Sequence, residues 1–264
     1  MLQLTDIYKV FNEGTPDEKV AIDDITLDVK KGDFITIIGS NGAGKSTLFN
    51  IIAGKMFPDL GEVLISDQNV TGLPEYKRAR RIGRVFQDPM AGTSPTLTIE
   101  ENLSIAYSRV KPRTLRLGVT AKRRAFFKEQ LETLGLGLED RLRAKVGLLS
   151  GGERQALSLL MATFTKPDLL LLDEHTAALD PSRAALITRL TKEIVEREQL
   201  TTIMITHNMQ QAVDLGNRIL MMDKGKIIFE EEGARKKHLT VSDLLNEFGK
   251  MKGTELSDRT LLGV

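Results

Sequence analysis

Residues 39–47 read "GSNGAGKST" and decide how the rest of the chain is to be read. They fit G-x-x-x-x-G-K-[ST], the pattern of a phosphate-binding loop. Gly39, Gly42 and Gly44 let backbone N–H groups turn inward and wrap a phosphate chain as a nest. Lys45 can reach the terminal phosphates as a point charge, and the Ser46 hydroxyl can hold Mg²⁺. The helix expected to open at Ser46 points its positive end at the same anion. An ordinary glycine turn between strand and helix is the plainer alternative. The position of the loop, between the apolar run Phe34–Ile38 and the helically spaced "STLFNIIAGKM", argues against it.

Outward from this loop the chain alternates between buried strands and helices. "AIDDITLDV" alternates as a half-exposed antiparallel strand does, whereas "FITII" is a compact apolar run that suits a strand buried on both faces. "GEVLISDQNVTGL" reads as a strand and a turn. "DLLLLDE" and "TTIMITH" are two further buried strands, separated by the helical "RAALITRLTKEIVERE". "RILMMDKGKIIFEEEG" reads as two strands joined at Lys224-Gly225, and "LTVSDLLNEFGKM" as a closing helix capped by Thr240. From Asp88 to Leu149 the character changes to basic, helically spaced sequence such as "RRAFFKEQLETLGL". The expected fold is α/β: a P-loop ATPase core with a mostly parallel sheet, an antiparallel β subdomain, and an inserted α-helical subdomain at about residues 88–165. The domain spans residues 1–252, and the sequence from Gly253 looks like a frayed tail.

Composition narrows the function. A formal net charge of +1 over 264 residues argues against a protein that works by neutralising a nucleic-acid backbone, and no nucleic-acid partner is expected. "ARKKH" near residue 236 reads as a solvated face. The absence of cysteine excludes disulfides and thiolate catalysis. No stretch approaches the ~20 apolar residues needed to cross a bilayer, and no signal peptide is visible, so a soluble chain is expected.

On a parallel sheet ligands sit at the carboxyl ends of the strands. Asp173 and Glu174 lie at the tip of the most apolar strand. Alone they would be a solvated strand end. Beside a phosphate loop, Asp173 becomes a candidate for the Mg²⁺ shell and Glu174 for the general base that polarises water. His207, ending "TTIMITH", would face the same crevice and bond a terminal phosphate. His175 and His238 read as structural.

"LLSGGERQALS" (148–158) holds two adjacent glycines where a helix begins. Glycine at such a point implies close backbone approach to something, and the start of a helix is a second anion cradle. One chain needs a single complete binding loop, so a second cradle suggests a site built from two chains. A flexible hinge before a helix is the other reading.

The set now resembles the ATP-binding subunit of an ABC transporter: Walker A at 39–47, "VFQDP" with Gln87, "LSGGE" at 149–153, "LLLLDE" at 169–174, "AALD" at 177–180 and "ITH" at 205–207. These patterns follow in the family's order over roughly residues 2 to 248. The resemblance implies an ATPase that binds ATP with Mg²⁺. Gly39, Ser40, Asn41, Gly42, Ala43, Gly44, Lys45, Ser46 and Thr47 would hold the phosphates, with Ser46, Gln87 and Asp173 around the metal. Glu174, His207 and Gln87 would serve hydrolysis. Phe11 would stack on adenine, with Tyr8 as the alternative. Ser150, Gly151, Gly152, Glu153 and Asp180 would reach ATP held by a second copy of the chain. Three departures stand out: Glu153 for a common Gln, His175 for the usual Pro, and Met161 where many relatives have Arg.

The resemblance further implies an integral membrane permease as partner, met through "DPMAGTSPTLTIEENL" after Gln87, and indirectly an extracytoplasmic substrate-binding protein. The subunit would sit peripherally on the cytoplasmic face of the membrane. The pattern is most similar to bacterial cassettes of amino-acid uptake, with aromatic amino acids as candidate cargo. The rivals are an exporter's ATPase, a non-transport ABC ATPase of the ribosome or DNA-repair kind, and a nucleotide-binding module without turnover. The first two-cassette and coiled-coil forms do not match this layout, and an intact Glu174 and His207 weigh against the last.

Overall fold

Strand β1 (Leu2–Phe11) and strand β2 (Lys19–Val29) pair antiparallel from Leu2↔Val29 to Phe11↔Lys19. In the computed structural model, which describes residues 1–110 and 118–252 (the backbone alone for 251 and 252), the chain divides into two units. One is Met1–Arg78 with the chain from Leu200 onward, and the other is Ala79–Gln199. The proposed tail from Gly253 lies outside the described residues.

In the first unit β3 (Phe34–Gly39) is buried along its whole length and leads into α1 (Lys45–Ala53). β4 (Leu60–Ile65) and β5 (Gln68–Asn69) extend the antiparallel sheet to the order β2-β1-β4-β5, and α2 (Glu75–Arg78) follows. β2 alternates over Ile25, Leu27 and Val29, all inside, and Ile22, on the other side of an irregularity at Asp24 (φ 58°), is buried as well. β1 carries no clean alternation, because its register shifts between Leu4 and Ile7, where Asp6 adopts φ 50°. One inserted residue throws every later side chain to the other face. That is why sequence periodicity did not reveal this strand.

Arg78 ends α2 and is almost wholly buried. Its guanidinium donates to the carbonyls of Ile51 and Ile52, both at 2.8 Å, and to those of Leu73 at 2.7 Å and Thr71 at 2.9 Å. The first two belong to the carboxyl end of α1, where carbonyls have no helical partner. Burial pushes the Arg78 pKa down to about 10, which leaves it charged at neutral pH.

In the second unit β6 (Ile82–Val85) pairs parallel with a later strand, β7 (Leu169–Asp173). Between them lie α3 (Ile99–Tyr107), α4 (Ala121–Glu132) and α5 (Gly151–Thr163). Helix α6 (Pro181–Glu198) follows β7. Tyr107, Phe126, Phe127 and Phe164 pack ring to ring, with centroids 5.5–6.4 Å apart, and join α3 and α4 to the end of α5. Helix α3 starts with a capping box of Thr98 and Glu101. Strand β6, four residues containing a glycine and an arginine, was too short and too mixed to be read from sequence.

The chain then returns to the first unit with β8 (Thr201–Ile205), α7 (Met209–Asp214), β9 (Arg218–Asp223), β10 (Lys226–Glu232), α8 (Gly233–His238) and α9 (Val241–Lys252). β3 lies between β8 and β9, parallel to both, and β10 pairs antiparallel with β9. Leu244 and Phe248 of α9 bury against Met209, Ala212, Ile219 and Met221. Thr240 accepts from the Asp243 N–H at 3.2 Å, the cap expected there. Mixed parallel and antiparallel sheets flanked by helices make this the α/β fold of a P-loop ATPase.

Candidate functional site

The phosphate loop hangs from the end of β3. A Cβ on Gly39 (φ 155°) would stand 2.2 Å from the Met222 carbonyl oxygen, and one on Gly44 (φ 101°) 2.4 Å from that of Ala21. Both positions exclude any side chain. Gly42 (φ 81°) has space around it but a left-handed backbone. Lys45 folds back over the loop, its Nζ donating to the carbonyls of Gly39 at 2.7 Å and Ser40 at 3.0 Å. The Ser40 hydroxyl donates to Asp223 Oδ1 at 2.9 Å, and Gly225 N–H to the Ala43 carbonyl at 3.0 Å. Helix α1 begins at Lys45, one residue earlier than expected, without a side-chain cap or an acidic residue in its first turn. Its positive end is thus not answered by an anion of its own. Asn41 and Ser46 are exposed, Thr47 is half-buried, and Ala43 is buried.

Elsewhere in the same unit, Phe11 ends β1 half-buried, with Lys9 Nζ 5.9 Å from its ring centroid. Tyr8 sits earlier on the same strand, also half-buried. His207, half-buried, follows the carboxyl end of β8.

In the second unit four buried leucines of β7 lead to Asp173. Its Oδ2 accepts from Arg84 Nη2 at 3.0 Å, and the Arg84 guanidinium lies 4.8 Å from the Phe86 ring centroid. Glu174 turns out of the strand with φ 45°, a left-handed backbone that is costly for a residue with a Cβ. The Ala177 N–H closes the turn onto the Glu174 carbonyl at 2.9 Å. His175 points inward, 2% exposed, with Nε2 2.9 Å from Thr191 Oγ1 on α6. The Thr191 proton goes to the Ile187 carbonyl, so Nε2–H of His175 is the donor. Exposed Gln87 follows Phe86, whose carbonyl accepts from Gln155 of α5 at 3.3 Å.

"LSGGE" opens α5. Ser150 is the N-cap and Glu153 closes a capping box. The Glu153 carboxylate is committed to the Ser150 N–H (2.7 Å) and to Arg141 (2.7 Å). A Cβ on Gly151 would make only ordinary contact, 3.5 Å from Leu179 Cδ2, and one on Gly152 would press on the flexible Arg183 side chain at 3.1 Å. Neither has a left-handed backbone. Asp180 caps α6, accepting from the Ser182 hydroxyl at 2.7 Å and the Arg183 N–H at 3.1 Å. These bonds, Ser182's foremost, hold its carboxyl below the usual range. Sequence reasoning missed Arg84, Thr191 and Gln155. Each acts through a partner distant in the chain, and no spacing rule connects them.

The donor set suits the metal inferred from the sequence. The hydroxyl of Ser46, the amide of Gln87 and the carboxylate of Asp173 are hard oxygen groups of the kind Mg²⁺ takes beside phosphate. Among the described residues no helix is long and apolar enough to cross a membrane.

The family described as "ABC transporter" matches residues 22–177. The "Tyrosine transport ATP-binding protein" of Clostridioides difficile is 40% identical over 248 residues, covering 94% of this chain and 98% of that one. The "Methionine import ATP-binding protein MetN" of Rhizobium johnstonii is 36% identical, covering 88% of this chain and 60% of that one. Among solved structures, "Dimeric structure of a post-hydrolysis state of the ATP-binding cassette MJ0796 bound to ADP and Pi" matches with a TM-score of 0.75 and 30% identity, covering 88% of this chain and 98% of that one. The matched range takes in the phosphate loop, the glycine-opened helix and the acidic strand end, and the chain belongs to the ABC transporter family as an ATP-binding subunit with ATPase activity.

Proposed function

We propose that this ATPase drives amino-acid uptake through a separate integral membrane permease, working as a pair of identical subunits that sandwich ATP. Aromatic amino acids are the favoured cargo, since a tyrosine transport ATP-binding protein matches over nearly its whole length. The subunit would lie peripherally on the cytoplasmic face of the membrane, with a substrate-binding protein delivering cargo on the other side.

The observation that carries the paired site is the bare start of α5. The fold does not require Gly151 to lack a side chain, whereas it does require this of Gly39 and Gly44. A glycine not needed by its own fold is explained by a ligand that must come close. Ser150, Gly151 and Gly152 would therefore meet the terminal phosphate of ATP held by the other copy, with Asp180 beside that copy's loop. Glu153 would act through its cap on Ser150, its carboxylate being already bonded.

Within each chain, residues 39–47 would wrap the phosphates and Phe11 would stack on adenine. Ser46, Gln87 and Asp173 would hold Mg²⁺, which when bound neutralises charge on the β- and γ-phosphates. Glu174 would take a proton from the attacking water and His207 would bond the γ-phosphate. Gln87 would report the nucleotide state to the segment 88–103, the surface offered to the permease. Residues 1–252 would act as one ATPase domain, with 88–165 as its helical part.

Glu174→Gln tests the reading. The variant should bind ATP, run as a stable dimer in size-exclusion chromatography, and turn over at least a hundredfold more slowly (roughly the worth of a general base). Turnover at the parent rate would remove Glu174 from its role, and a monomer under all conditions would remove the paired site.

A further inference from the structure

Asp173 already has a cation. Arg84 of the neighbouring strand reaches it at 3.0 Å, the two side chains being 10% and 16% exposed. The parallel register sets Arg84 opposite Leu171, two residues before Asp173, so the backbone of both strands fixes the approach. The guanidinium also lies against the Phe86 ring, 4.8 Å away. A carboxylate this poorly solvated, at the end of four buried leucines, needs a counter-charge. Nothing in the roles assigned above uses Arg84, although an aliphatic residue would suit its strand better.

We propose that Arg84 is a positioning residue that serves as the stand-in cation of Asp173 before metal loading. Asp173 exchanges it for Mg²⁺, and the guanidinium stays on the Phe86 face. The proposal rests on the reading of Asp173 as part of the metal shell. Its first consequence is that the metal loads against a competitor, which weakens apparent affinity by the fraction of Asp173 left unpaired. Its second is local. Phe86 immediately precedes Gln87, and its carbonyl is held by Gln155 of α5. Release of Arg84 is therefore felt on a stretch that joins Gln87 to the helix opened by "LSGGE".

The test is Mn²⁺ binding in the presence of ATP, read from the electron paramagnetic resonance signal of free Mn²⁺ in a non-hydrolysing Glu174→Gln background. Arg84→Met should tighten Mn²⁺ by about tenfold if Asp173 is unpaired about a tenth of the time. It should also lower the melting temperature without ligand, since Asp173 loses its counter-charge, and recover it with Mn²⁺ and ATP. Unchanged or weaker Mn²⁺ binding in Arg84→Met overturns the proposal. Should that variant not fold, Arg84→Lys, which keeps charge but lacks the planar fork, should bind Mn²⁺ more tightly than the parent; equal or weaker binding counts against the proposal in the same way. Asp173→Asn separates the two ideas. Parent-like Mn²⁺ affinity there means that Asp173 is no metal ligand, a failure of the underlying reading rather than of Arg84's part in it.

Discussion

Ser150 and Glu153 hold each other at the start of α5: the Ser150 N–H donates to Glu153 Oε2 at 2.7 Å, and the Glu153 N–H donates to Ser150 Oγ at 3.3 Å. The hydroxyl oxygen is thus an acceptor within the chain, and the hydroxyl also bonds the Glu153 carboxylate. Glu153→Ala should cost about 1–2 kcal/mol by loss of the cap, whereas Glu153→Gln, which can close the same box, should cost less; urea denaturation distinguishes them. Burial pushes the Glu153 carboxyl up, but the bonds from Ser150 and Arg141 outweigh it, and the net value lies below the ordinary 4.5. The stabilisation is then complete above that pH and lost as pH falls through the lower folded value. The Gln variant should lack this acid sensitivity.

The glycines should separate by purpose. Gly39→Ala and Gly44→Ala drive a methyl into carbonyl oxygens at 2.2 and 2.4 Å, so both should destabilise the apo protein as well as abolish ATP binding. Gly151→Ala meets only contact distances, and should leave thermal stability equal or raise it by about 0.5–1 kcal/mol through helix propensity. The same substitution should abolish ATP-driven dimerisation. Melting curves with and without ATP, beside light scattering, check both halves.

His175 should make stability depend on mildly acidic pH. Its burial against Thr191 pushes its pKa down to about 4, from 6.5 when exposed. Between those values the unfolded chain binds a proton that the folded chain refuses, so stability is full above pH 6.5 and falls as pH drops toward 4. The loss is on the order of 3 kcal/mol for a fully buried group. Denaturation midpoints at pH 7.5 and 5 should differ in the parent and differ less in His175→Gln.

Arg78 is expected to matter more than a surface-charge pattern such as "KRAR" suggests. Arg78→Met takes a charged donor from the carbonyls of Ile51, Ile52, Leu73 and Thr71, of which Ile51 keeps the Gly54 N–H, and should cost about 3 kcal/mol or more. Helix α1 carries Lys45 and Ser46 at its other end, so ATP affinity should fall as well. Arg78→Lys should recover little, because a single ammonium cannot span four acceptors. Calorimetry of ATP binding beside chemical denaturation measures both effects.

Strong local chemistry was legible early. "GSNGAGKST" announced its loop because its glycines, lysine and serine each meet a physical demand, and β3, β7 and β8 were readable because strands buried on both faces are predominantly apolar. β1 was not, since the irregularity at Asp6 interrupts its alternation, nor was β6, whose short run holds Gly83 and Arg84. The opening of α5 could be read as a glycine-rich helix start. Its purpose was read there too, as an anion cradle shared between two chains, and the open space around Gly151, against the crowding at Gly39 and Gly44, supports that reading.

The residue order alone determined the strand-loop-helix that cradles phosphate, the acidic tip of β7 and the second glycine-opened helix, because each depends on neighbours in the chain. The tertiary structure decided which polar groups are already answered: Asp173 by Arg84, Glu153 by Arg141, the neutral His175 by Thr191, and Arg78 by the carbonyls of α1. Desolvation makes each of those pairings necessary. It arises only when the folded chain withdraws water from groups that the sequence leaves far apart.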